Sequence, residues 1–295
     1  MKTFFHFVIL LTIVLALVGC ESSTETKIVT APPAAVTPGN TSPSTFPKEE
    51  AEKLIQRLAT QDGCKDSTAE MRLSFTDAEG KPQQMDFRLQ RKFEAGKISS
   101  LMTVLSPKEE SEKALLVFEE EGKPTDAISY LAGLKKTAHL KSDNPLNFRG
   151  SKSTVQEMLG LELGKYEITS TEPGNGIPDK PFLTIYLEPK KGENLAFPKI
   201  SVNYNQNSSD KQLVPSSFVL SDSQGKAIKR MEISETAKIG NYNSVKMINV
   251  TDARNNLKLK LETRSIKYDT NLPSSIFTEA QLIKTVTAAT AKLVQ

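Results

Sequence analysis

Cysteine and histidine are the side chains best suited to nucleophilic, metal-binding or proton-transfer chemistry near neutral pH, and this 295-residue chain has two of each. His6 sits in an apolar N-terminal run, which leaves His139 as the one imidazole of the remainder. A Ser-His-Asp arrangement would have to use it as the base. His139 stands in Leu134-Lys135-Lys136-Thr137-Ala138-His139-Leu140-Lys141, with no nucleophile elbow or glycine-rich turn beside it. The expectation is a polar residue on the solvated side of a strand. Cys64, in Gln61-Asp62-Gly63-Cys64-Lys65, reads either as a reactive thiol or as a small packing residue where a helix hands over to a strand. The second use is the commoner one for a free cysteine. No phosphate-cradling Walker loop and no dinucleotide fingerprint occurs. Asp77-Ala78-Glu79-Gly80 resembles the start of a calcium loop, but the remaining ligand positions are missing. No metal, no cofactor and no enzymatic activity are therefore expected.

The other thiol, Cys20, closes the stretch MKTFFHFVILLTIVLALVGC. Lys2 precedes an apolar run of about 15 residues, shorter than the roughly 20 that a bilayer-spanning helix needs. A charged start, a short apolar middle and a small-residue end make a secretory signal. Leu17-Val18-Gly19-Cys20 resembles the bacterial lipobox, in which the thiol receives a diacylglyceryl group and becomes the first mature residue. An uncleaved anchor is the alternative, and the length mismatch argues against it. Residues 1–19 are thus read as a lipoprotein signal peptide and Cys20 as the lipidation site. One acyl chain holds a protein marginally, whereas two or more anchor it stably, so attachment to a membrane through Cys20 needs no basic patch. The formal charge of +3 offers none, and no nucleic-acid partner is expected. Glu21, not Asp, follows Cys20. By resemblance to the sorting rule of typical two-membrane bacteria, the destination is the outer membrane, facing the periplasm.

Residues 20–47 contain ESSTETKIVTAPPAAVTPGNTSPSTFP, rich in Ser, Thr and Pro and too poor in apolar surface to fold. As a flexible tether of about 27 residues it spans roughly 30 Å, or about 90 Å fully extended. Residues 48–295 form the folded domain. Helical spacing of Ala51, Leu54, Ile55 and Leu58 predicts a first helix over Lys48–Thr60, with Glu49, Glu50 and Glu52 favouring its N-terminal dipole. Period two then takes over: Met71, Leu73, Phe75; Met85, Phe87, Leu89; Leu183, Ile185, Leu187; and Leu257, Leu259, Leu261. Turn signals such as Glu94-Ala95-Gly96-Lys97, Lys190-Lys191-Gly192-Glu193 and Asp222-Ser223-Gln224-Gly225 separate them. The pattern predicts a mainly β fold: a curled antiparallel sheet with a few helices covering its concave face. Further helices are expected over 154–161 and from Thr278 to about Val294.

Four short stretches resemble the outer-membrane lipoprotein-sorting family of the LolA carrier and the LolB receptor. They are Ser100-Leu101-Met102-Thr103-Val104-Leu105-Ser106-Pro107, Glu112-Lys113-Ala114-Leu115-Leu116, Tyr130-Leu131-Ala132-Gly133-Leu134-Lys135-Lys136 and Phe148-Arg149-Gly150-Ser151. Leu272-Pro273-Ser274-Ser275-Ile276-Phe277-Thr278 matches the family's closing segment. Ile128 stands where that family usually has Trp, Ala132 replaces a Pro, and Lys152-Ser153 replaces an acidic-aromatic pair. The resemblance implies an incomplete antiparallel β-barrel over a cavity lined by inward apolar side chains.

On that footing the expected partner is the acyl chain of a lipid or of an acylated protein, with an inner-membrane transporter or export partner as a further implied contact. The candidate cavity residues are the inward-facing Met71, Leu73, Phe75, Met85, Phe87, Leu89, Leu183, Ile185 and Leu187. The alternative is an envelope sensor or protein-interaction module on the same scaffold, its core simply filled.

Overall fold

The computed structural model describes residues 46–291, apart from 61–62, 77–80, 95, 109–112, 121–122, 124, 132–135, 141–144, 149–150, 155–162, 175–180, 194, 208–210 and 255–256. The expected signal, Cys20 and the expected tether up to residue 45 lie outside the described residues, as does 155–162, most of the expected short helix.

The first helix, α1, spans Lys48–Thr60 as its spacing dictates, with Glu49 and Glu50 in the first turn and Arg57 in the last. Six strands follow as an antiparallel meander: β1 (Asp66–Thr76), β2 (Pro82–Glu94), β3 (Lys97–Ser106), β4 (Ala114–Glu120), β5 (Asp126–Leu131) and β6 (Lys136–Leu140). A separate hairpin, β7 (Pro145–Phe148) with β8 (Ser151–Thr154), sits between the two halves of the chain. The second meander comprises β9 (Tyr166–Pro173), β10 (Leu183–Pro189), β11 (Lys199–Gln206), β12 (Leu213–Ser221), β13 (Ala227–Ile239), β14 (Tyr242–Asp252) and β15 (Leu257–Tyr268).

Both meanders fuse where β15 pairs antiparallel with β1, Leu261 opposite Leu73 and Leu259 opposite Phe75. The result is a 13-stranded antiparallel sheet with β6 at one edge and β9 at the other, not closed into a barrel. Between β9 and β10, Gly174 has no room for a side chain, because a Cβ there would lie 1.8 Å from the Pro181 carbonyl oxygen.

The face carrying α1 is the inner face. Ala51, Ile55 and Leu58 of α1 are buried in one apolar cluster with residues of β1, β2, β10, β11, β12, β14 and β15. The C-terminal helix, α2 (Glu279–Ala291), forms where expected, and the Thr278 hydroxyl oxygen accepts from the Gln281 N–H at 3.2 Å as its N-cap. It covers the opposite face from α1. Phe277, Leu282 and Val286 pack on Leu101, Ala114, Leu116, Ile128 and Tyr130 of β3, β4 and β5. The neighbours Met102 and Val104 belong to the inner-face cluster, as period two requires of β3.

The segment leading into α2 is fastened by a buried carboxylate. Asp66 accepts from the Thr270 N–H at 2.7 Å, the Thr270 hydroxyl at 2.8 Å and the Leu272 N–H at 3.2 Å. Lys92 Nζ adds a hydrogen bond to the Leu272 carbonyl at 2.9 Å. No helix among the described residues is long and apolar enough to cross a membrane.

Candidate functional site

All nine sequence-derived cavity positions point to the inner face and are at most 7% exposed. Their surroundings differ. Leu73, Phe75, Met85, Phe87, Leu183, Ile185 and Leu187 are packed in the apolar cluster beneath α1. Met71 and Leu89 line a cavity of about 90 Å³ at one end of the inner face. Leu58 at the end of α1 forms part of its wall, with Phe218 of β12, Ile233 of β13, Ile248 of β14, and Leu261 and Ile266 of β15. The lining is mostly apolar.

Bulges explain why space survives at this end. The β1–β15 register shifts between Glu70 and Met71, and the β13–β14 register shifts on both sides of Glu235. Each bulge adds local twist and bends its strand, so the inner faces of neighbouring strands splay where they would otherwise interdigitate. Ile233, Ile248, Ile266 and Met247 are accordingly only half-buried. Period-two reading finds Met71 and Leu89 but cannot find the bulges, which leave no signature in one sequence. The lining residues of β13 and β14 were missed for that reason.

Polar groups border the cavity at Ser67, Arg91, Lys246, Thr263 and Tyr268. The Thr263 hydroxyl donates to the Val245 carbonyl at 2.9 Å, and the Tyr268 and Ser244 hydroxyls are 2.7 Å apart. Arg91 is 3% exposed with Nε 3.4 Å from Ser100 Oγ. Burial lowers its pKa, and the Glu119 carboxylate opposes that by favouring the charged guanidinium. In the apolar cluster with α1, Tyr204 is buried, and its hydroxyl has no hydrogen-bond partner among the described residues. Desolvation pushes that hydroxyl well above the ordinary tyrosine range.

The residue types suited to catalysis lie elsewhere. His139 is exposed on edge strand β6, its Nδ1 3.1 Å from Asp126 Oδ1, as expected of a solvated strand residue. Cys64 is buried between α1 and β1, where burial pushes its thiol up to about 12. At neutral pH it is a packing residue and not a thiolate nucleophile. Among the described residues, no group of three His, Cys, Asp or Glu is placed to hold a metal ion.

The fold recurs in solved structures. A putative outer-membrane lipoprotein-sorting protein domain from Vibrio parahaemolyticus is 20% identical, with a TM-score of 0.65 over 80% of this chain and 97% of that one. A DUF1329 family protein from Desulfovibrio piger is 19% identical, with a TM-score of 0.66 over 81% of this chain and 100% of that one. A LolA superfamily protein from Nitrosomonas europaea is 15% identical, with a TM-score of 0.55 over 74% of this chain and 92% of that one. Identities this low show a shared fold. No curated protein matches the chain. A protein-family model described as "-like: Uncharacterized protein" matches residues 96–284, more than half of the chain, from β3 into the first part of α2. The chain belongs to that family, and its open, curled antiparallel sheet is LolA-like.

Proposed function

We propose that this protein is a non-enzymatic envelope lipoprotein that binds an acyl chain, of a lipid or of an acylated protein, on the inner face of its sheet. In this reading Cys20 tethers it to the outer membrane on the periplasmic side, and its role is lipid or lipoprotein sorting. The observation that carries the reading is the apolar cavity between the end of α1 and strands β1, β2, β14 and β15. Similarity of fold to a lipoprotein-sorting domain supports it.

The cavity's size sets a physical condition. A cavity of roughly 150 Å³ just admits benzene, so about 90 Å³ accepts only a few methylenes at rest. In this reading a full acyl chain is accommodated by lifting of the α1 end. Burial of Ile55 and Leu58 contributes about 1.5–3 kcal/mol each. Each methylene taken from water returns about 0.8 kcal/mol, so about four to eight carbons offset both contacts.

One observation favours the filled-core alternative, a protein-interaction module. Leu73, Leu183, Ile185 and the other core positions beneath α1 show close to no exposure. The two readings separate in one experiment. Wild type and Cys20→Ser are fractionated and purified, and their extracted lipids identified by mass spectrometry. The carrier reading expects wild type with outer membranes, release of Cys20→Ser, and near-stoichiometric acyl lipid retained by both. Released protein devoid of lipid and unable to take up a fluorescent acyl probe supports the interaction module instead.

A further inference from the structure

The acyl-binding reading leaves open what head the bound chain carries, and the charges bordering the cavity bear on it. The lining holds two cations, Arg91 and Lys246, and no carboxylate. Arg91 is balanced inside the protein, since it is buried with Ser100 and coupled to the buried carboxylate of Glu119. The Thr263 and Tyr268 hydroxyls are engaged with Val245 and Ser244. Lys246 differs. It is half-buried, and its side chain makes no ion pair or hydrogen bond among the described residues.

Its backbone position is also unusual. Glu235 pairs with Met247 and Thr236 with Val245, so Lys246 is an extra residue without a partner on β13. Bulges of this kind re-aim a side chain and are enriched beside functional sites. A half-buried lysine at an apolar cavity, with no carboxylate in the lining, is complementary to a molecule that is apolar at one end and anionic at the other.

We propose that the cavity takes a single acyl chain bearing an anionic head, a carboxylate or a phosphate, with the chain against Ile233, Ile248 and Leu261 and the anion at Lys246. This rests on the acyl-binding reading, and its test separates the two. A charge-assisted hydrogen bond is roughly twice as strong as a neutral one, so the anionic form should bind about tenfold tighter than an isosteric neutral ester.

The experiment measures binding of fluorescent parinaric acid and of its methyl ester to the full chain, to Lys246→Met and to Lys246→Arg. Wild type and Lys246→Arg should prefer the acid about tenfold, and Lys246→Met should bind acid and ester alike. Displacement of the bound acid by lysophosphatidic acid or by palmitate then distinguishes a phosphate head from a free carboxylate. Equal binding of acid and ester by wild type, a preference surviving in Lys246→Met, or equal displacement by zwitterionic lysophosphatidylcholine overturns the anionic-head assignment and leaves the cavity reading standing. Binding of neither probe by any folded variant removes the cavity reading itself.

Discussion

Asp252 is 2% exposed, yet the structure keeps it ionised. Burial alone would raise its pKa, but the Arg254 guanidinium at 2.9 Å and the Lys229 ammonium at 3.7 Å hold it below the ordinary carboxylate range. A carboxyl lowered on folding contributes stability above its unfolded value of about 3.9, and that contribution fades as pH falls through the folded value. Asp252→Asn should therefore cost about 3 kcal/mol at neutral pH, because it leaves Lys229 buried without its carboxylate. Denaturant titration should show the deficit narrowing below about pH 4, where wild type loses the same charge. A deficit that stays constant down to pH 2 would refute this account of the pair. Residues of this kind were only partly legible. Met71 and Leu89 follow from alternation, whereas Asp252 and Lys229 meet only because β13 and β14 pair in that register. Lys246 looks like a solvated strand residue until its bulge is seen.

At the scale of elements, α1, the long strands and α2 followed from periodicity because each has one dominant apolar face. The side of the sheet that α2 covers did not. The clue was present in Ala114-Leu115-Leu116-Val117, a run with no alternation, which is how a strand buried on both faces reads. Leu115 and Val117 face inward, while Ala114 and Leu116 receive α2. Leu282 is fully buried in that outer-face contact. Leu282→Ala should lower stability by about 2–4 kcal/mol through the cavity it leaves. Since the contact is on the far side of the sheet, acyl-probe affinity of the folded variant should match wild type. A folded Leu282→Ala protein with weakened acyl uptake would show that the two faces are coupled.

For the whole molecule, the open sheet and α1 make one inner face that is filled under the middle of α1 and vacant at its end. The central claim is that this vacancy is an acyl site and not a packing defect. Adding bulk discriminates, because overpacking a filled core costs about 1–3 kcal/mol, whereas bulk placed in a void costs little. Leu73 marks the filled part, with no exposure and Leu261 and Met85 as cross-strand neighbours. Ile248 marks the vacant part. The decisive measurement is fluorescent acyl-probe binding by Ile248→Trp, read beside its thermal unfolding and that of Leu73→Trp. The prediction is that Leu73→Trp melts several degrees early, while Ile248→Trp keeps the wild-type melting temperature and loses at least tenfold in acyl affinity. An Ile248→Trp protein that melts as early as Leu73→Trp, alongside a wild type that takes up no acyl probe, would contradict the account.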